Sequence, residues 1–134
     1  MNHVYCLTFF VYPGEEERFH IGLFRTKEEA ECVRARYKRE VAGFRDHKCE
    51  GKIREVPVIG DNGALHTVYR YAGWNENEKY DEIDVIESDC YVSLEQARAE
   101  LERAKKQTPR QEWALDCCVI GQCDWQEGFT RVEG

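Results

Sequence analysis

Apolar and polar positions along the chain fall into one order of periods that occurs twice. Val4 to Val11 is a run of β-branched and aromatic residues, the composition of a strand, and Pro13-Gly14 turns the chain after it. Phe19, Ile21 and Leu23 then alternate with other residues, so a second strand with one buried side is expected. The period changes next. Ala30, Val33, Tyr37 and Val41 recur at steps of 3, 4 and 4 residues, a single stripe along a helix. Thr26 stands before that stripe with Glu29 three residues on, the capping-box spacing in which each side chain satisfies a backbone N–H left open at the helix start. Gly43 ends the helix, and a strand around Lys52 to Val58 closes the unit.

After the turn Asp61-Asn62-Gly63 the order restarts. Leu65 to Tyr71 predicts a strand, Gly73 to Lys79 a hairpin loop, and Tyr80 to Tyr91 a stretch containing the next strand, with Ile83 and Val85 on one face. Ser93 and Gln96 repeat the capping box 67 residues after the first. Leu94, Ala97, Leu101 and Ala104 make the second helical stripe, and Thr108-Pro109 stops it. Trp113, Leu115, Cys117 and Val119 alternate along a last strand, which sends Cys117 toward the core and Cys118 away from it. The expected architecture is α+β: two β-β-α-β repeats, residues 1–60 and 64–134, forming antiparallel sheet with two helices packed on one face, within one compact domain over residues 1–134.

Several short stretches carry a likeness. The opening pair Val4-Tyr5, the helix start Thr26-x-x-Glu29-Ala30, the stretch Gly43-Phe44-Arg45-Asp46 and the tail Trp125-Gln126-Glu127-Gly128-Phe129 resemble a short uncharacterised bacterial domain family in which one β-β-α-β unit ends in Trp-x-Glu-Gly-Phe. The first half has the Gly-Phe-Arg-Asp stretch without that tail, and the second half has the tail without that stretch. The resemblance implies a fold and no chemistry. Small acidic α+β proteins of this kind are similar to the immunity proteins that neutralise bacterial toxins, which implies a protein-binding inhibitor rather than an enzyme.

Charge sharpens that expectation. The net charge of the 134 residues is −7, and its location matters more than its size. Residues 1–63 hold eleven Lys/Arg and eleven Asp/Glu, whereas residues 64–134 hold eight and fifteen. The whole excess sits in the second half. Phosphate binding needs clustered Lys/Arg, so nucleic acid is not an expected partner. A basic protein, such as a toxin or nuclease, fits better. No apolar run of about 18 residues is present to span a membrane. Seven cysteines, an odd number, without an export signal at the start of the chain, point to reduced thiols and a cytoplasmic location.

The acidic excess is densest at Glu76, Glu78, Asp81, Glu82, Asp84, Glu87 and Asp89, with only Lys79 among them. On a strand, Glu82 and Asp84 face one way while Ile83 and Val85 face the other. Trp74 and Tyr80 lie beside these acids in sequence and supply apolar anchors. These nine residues are the expected partner-binding site. The plainer reading is a solvated face whose like charges keep an edge strand from pairing.

Other chemistry is thinly represented. Cys117-Cys118 with Cys123 lacks the Cys-x₂₋₄-Cys spacing that lets two thiolates reach one tetrahedral ion, and His47-x-Cys49 is an isolated pair. Cys49 or Cys123 with His20, His47 or His66 forms no local signature of a thiol nucleophile. No glycine-rich phosphate loop is present. No metal, cofactor or catalytic residue is therefore expected, and Trp125 and Phe129 are expected to fold back and pack. Two alternatives to an immunity protein remain: a mobile-element counter-defence protein acting as an acidic decoy for a nucleic-acid-binding enzyme, and a small-ligand-binding or enzymatic α+β domain.

Overall fold

A computed structural model describes residues 3–11, 17–60, 66–77 and 82–129; side chains at 17, 76, 77 and 82–84 fall outside that description. The elements run β1 (His3–Val11), β2 (Glu17–Phe24), α1 (Lys27–Glu40), β3 (Cys49–Ile59), β4 (Thr67–Asn77), β5 (Glu82–Glu87), β6 (Cys90–Tyr91), α2 (Leu94–Gln107) and β7 (Glu112–Val119). The fold is α+β. Both helices start where the capping residues stand: the Thr26 hydroxyl accepts from the Glu29 amide at 3.1 Å and the Ser93 hydroxyl from the Gln96 amide at 3.2 Å. Glu28 and Glu29 open α1 and Lys38 and Arg39 close it, in the order the helix dipole favours.

The described chain divides into two compact units. One comprises Val4–Glu55 with the segment from Gly121 on, and the other His3 with Val56–Ile120. In the first unit β1 lies between β2 and β3, and α1 packs on β2. Leu7, Phe9, Val11, Ile21, Phe24, Ala30, Tyr37, Val41, Phe44 and Cys49 form its core. The β1–β2 ladder holds one irregularity: Leu7 pairs with Gly22, but Thr8 pairs with His20, so Ile21 is an extra residue in β2.

The tail completes this unit. The Gly121 amide donates to the Leu23 carbonyl at 2.7 Å and the Asp124 amide to the Ile21 carbonyl at 2.8 Å, covering part of the β2 edge. The Tyr37 hydroxyl donates to the Asp124 carbonyl at 2.6 Å. Phe129 stacks on Phe19 at 4.5 Å and meets Phe44 edge-on at 4.9 Å, and Trp125 stands edge-on to Phe19 at 4.7 Å. Gly43, at φ +91°, leaves the space that the Phe129 ring fills, and Gly128, at φ +79°, lies against the Ala42 carbonyl where a Cβ has no room. The Gly-Phe-Arg-Asp stretch and the Trp-x-Glu-Gly-Phe tail, 81 positions apart between Phe44 and Trp125, thus pack in one unit.

In the second unit β4 is central. It pairs antiparallel with β7 from Thr67↔Val119 to Trp74↔Glu112, with β5 from Ala72↔Glu87 to Asn77↔Glu82, and with β6 at Tyr69↔Tyr91. α2 packs on β4, β6 and β7 through Ala97 and Leu101. Val58 and Ile59 at the end of β3 pair with Cys90 and Tyr91 in parallel. The sheet is therefore mixed, which corrects the expectation of a purely antiparallel one: the antiparallel pairs β1–β2 and β4–β5 do not constrain how β3 meets β6.

Two further expectations change. Gly73 lies inside β4 rather than opening a hairpin loop, because the Trp113 ring occupies the space 2.6 Å from where its Cβ would be. Along β7 the alternation fails after Leu115: Cys117 is exposed, Cys118 is half-buried and Val119 is 49% exposed.

Candidate functional site

The acidic stretch falls on a hairpin. Trp74, half-buried on β4, pairs with Val85; Asn75 pairs with Asp84, Glu76 with Ile83, and Asn77 with Glu82. Glu78, Tyr80 and Asp81 lie outside the described residues. β5 pairs on one side with β4 and is the last strand in the sheet order. The strand therefore presents the sequence Glu-Ile-Asp-Val-Ile-Glu at an edge among the described residues.

Glu87 does not stand alone in water. Its carboxylate accepts from the Arg70 guanidinium at 3.2 Å, with the Arg70 side chain 10% and the Glu87 side chain 41% exposed. A buried guanidinium needs a counter-charge, so part of the negative charge expected to face a partner neutralises a cation of the protein's own sheet. Sequence reading did not anticipate Arg70 as buried. The available signal was its place in Val68-Tyr69-Arg70-Tyr71, where alternation puts it on the side of Val68, which is fully buried. Between β5 and β6, Ser88 continues the pairing: its amide donates to the Tyr71 carbonyl at 2.9 Å, and its hydroxyl accepts from the Tyr71 amide at 2.8 Å and donates to the Asp89 carbonyl at 2.7 Å.

Asp89 is half-buried beside a tyrosine pair. Tyr71 and Tyr91 stack with centroids 6.4 Å apart. Burial, then the neighbouring Tyr71 phenol, Glu100 and Asp89, push the Tyr91 phenol up to about 12. Burial and Glu100 raise Tyr71 as well. Both hydroxyls stay protonated donors throughout the neutral range.

The cysteine and histidine candidates separate in space. Cys49 is buried, and its thiol donates to the Phe44 carbonyl at 3.1 Å; burial pushes it up. Cys123 is half-buried, 3.8 Å from the Arg36 guanidinium. The His47 ring stacks on Phe129 at 5.7 Å. Neither thiol is hydrogen-bonded to a histidine in any contact the structure describes. His20 is instead 3.4 Å from the Cys6 sulfur, a pair that no sequence pattern announced, because the partners are 14 residues apart on neighbouring strands. Among the described residues no group of three or more His, Cys, Asp and Glu is placed to hold a metal ion. No described helix is long and apolar enough to cross a membrane. No protein-family model, curated protein or solved structure matches the chain.

Proposed function

We propose that the chain is a non-enzymatic protein-binding inhibitor, an immunity protein that neutralises a basic bacterial toxin in the cytoplasm through its acidic second half. The observation that carries this reading is the partition of charge between the two units. Residues 56–120 hold seven Lys/Arg against thirteen Asp/Glu, while residues 4–55 and 121–134 hold twelve against thirteen. A net charge of −6 thus belongs to one unit, and the described part of its densest run lies on β4 and on β5, an edge strand among the described residues. Such a field speeds encounter with a basic cleft and rejects acidic surfaces.

In this reading Trp74 and Tyr80 are apolar anchors, and Glu76, Glu78, Asp81, Glu82 and Asp84 pair with Lys and Arg of the partner. Glu87 and Asp89 hold the base of the hairpin through Arg70 and Ser88 and contribute to the field. Nucleic acid and membrane play no part. Each unit has an antiparallel strand pair, a capped helix and, after the helix, a strand beside the first, β3 beside β1 and β7 beside β4, although the short strand β6 is extra in the second; this likeness supports an origin by duplication, with the first copy retained as scaffold, the second adapted for binding, and the helices on one face.

The test is capture of partners by the tagged protein from bacterial lysate at low and high salt, followed by titration of the retained basic protein. Asp84→Lys is expected to weaken binding at least about 10-fold through like-charge contact. Glu95→Lys, at the exposed start of α2, is expected to change it less. Equal affinity of wild type and Asp84→Lys would remove the acidic hairpin from the interface.

A further inference from the structure

We propose that Cys6, paired with His20, is a reactive thiol that a small peroxide converts to a sulfenic acid. Positions along β1 alternate. Leu7, Phe9 and Val11 enter the core of the first unit, and Cys6, Thr8 and Phe10 take the other face. The extra residue Ile21 in β2 is itself fully buried, and it sets His20 directly opposite Thr8. β-Bulges re-aim side chains in this way. The Cys6 sulfur then lies 3.4 Å from His20 Nδ1 and 3.8 Å from the Thr8 hydroxyl. Two residue pairs along the ladder from Thr8 and His20, Phe10 stands opposite Arg18 on this same face. The Phe10 ring carries the Arg18 guanidinium at 5.5 Å and the Lys52 ammonium at 4.7 Å, which adds positive charge farther along this face.

The contrast with Cys49 decides between packing and chemistry. Both thiols are almost fully buried, Cys6 at 4% and Cys49 at 5% exposure. Cys49 gives its proton to a backbone carbonyl, a partner that holds the thiol neutral. Cys6 faces an imidazole nitrogen, a base that can take the proton. With His20 protonated on Nε2, the Cys6 proton passes to Nδ1. The thiolate attacks one peroxide oxygen, the O–O bond breaks, and the departing hydroxide takes the proton back from the imidazolium. The products are the sulfenic acid of Cys6, water and neutral His20; sulfur loses two electrons and the peroxide gains them. Burial restricts the reagent to one of about this size.

The experiment treats the folded full-length protein with hydrogen peroxide at neutral pH for set times, removes the peroxide with catalase, then unfolds the protein in dimedone so that any sulfenic acid is trapped whatever its burial, and follows each cysteine by peptide mass spectrometry. Cys90, fully buried, and Cys32, exposed, are internal references. An ordinary thiol is only about 3% thiolate at pH 7, so activation has a ceiling of roughly 30-fold. Cys6 is expected to label at least ~10-fold faster than Cys90. His20→Gln is expected to bring Cys6 down to the Cys90 rate with Cys32 unchanged. His20→Asn serves the same purpose if the first variant does not fold, and the wild-type Cys6-to-Cys90 ratio needs no variant. Labelling of Cys32 with none at Cys6, or equal Cys6 rates with and without the imidazole, would overturn the proposal.

Discussion

The two units are held by different means. In the unit formed by Val4–Glu55 and the tail, Phe9, Phe19, Tyr37, Phe44, Trp125 and Phe129 are linked ring to ring. Of the largest fully buried side chains among the described residues, only Val68 and Cys90 belong to the unit around β4. That unit relies on the long β4–β7 ladder, the Ser88 hydrogen bonds and the Arg70–Glu87 pair. Aromatic burial fixes one geometry and tolerates little change. A sheet held by backbone ladders leaves its side chains freer to vary, and the net negative charge collects there.

Four substitutions or conditions test this contrast. The largest effect is expected at Phe44, fully buried and in contact with the Phe9, Phe19, Tyr37 and Phe129 rings. Phe44→Ala should cost about 3–5 kcal/mol in denaturant unfolding; a loss below 1 kcal/mol would mean that the ring cluster is not what holds this unit. Gly128→Ala comes next. A non-glycine residue at positive φ costs roughly 1–2 kcal/mol, and the new Cβ has no room against the Ala42 carbonyl. The tail should lift, and its cleavage by protease should become faster while α2 and β7 stay protected from hydrogen exchange.

In the other unit, Arg70→Leu removes one partner of a half-exposed ion pair. The loss should be smaller, about 1–2 kcal/mol, because Glu87 can turn to water. A larger loss would mark Arg70 as a centre of that unit rather than a neutralised liability. The last effect is confined to alkaline solution. Tyr37 and Tyr91, one in each unit, have phenols pushed up to about 12 from an ordinary 10, chiefly by burial. The unfolded chain releases these protons first. The stability they contribute is complete below pH 10 and is lost as pH rises through 12. Melting temperatures should therefore fall across that window, and Tyr91→Phe should make the fall shallower.

The elements best announced by the sequence were those whose physics is local. Thr26 and Ser93 cap the helices as their spacing requires, and Ala30, Tyr37, Ala97 and Leu101 are buried along the expected stripes. What escaped was set by residues distant in sequence. Gly73 reads as a loop until Trp113 is laid over it, the Cys117–Val119 end of β7 follows the edge of its own sheet rather than a buried period, and the parallel β3–β6 pair has no local code. The candidate acids were legible as a run. That Glu87 answers Arg70 was not, since a counter-ion is visible only once the ladder is built. Nor could Ile21 be read as the extra residue that sets His20 opposite Thr8.

The tail's return to the first unit also has a consequence for synthesis on the ribosome. Phe129 is added 85 residues after Phe44. At about 5–20 residues per second, the nascent chain carries the Phe19 and Phe44 rings for roughly 4–17 s before the ring that covers them has been made. During that interval the two rings lack their cover, and pauses in translation late in the message should raise aggregation more than equal pauses early in it.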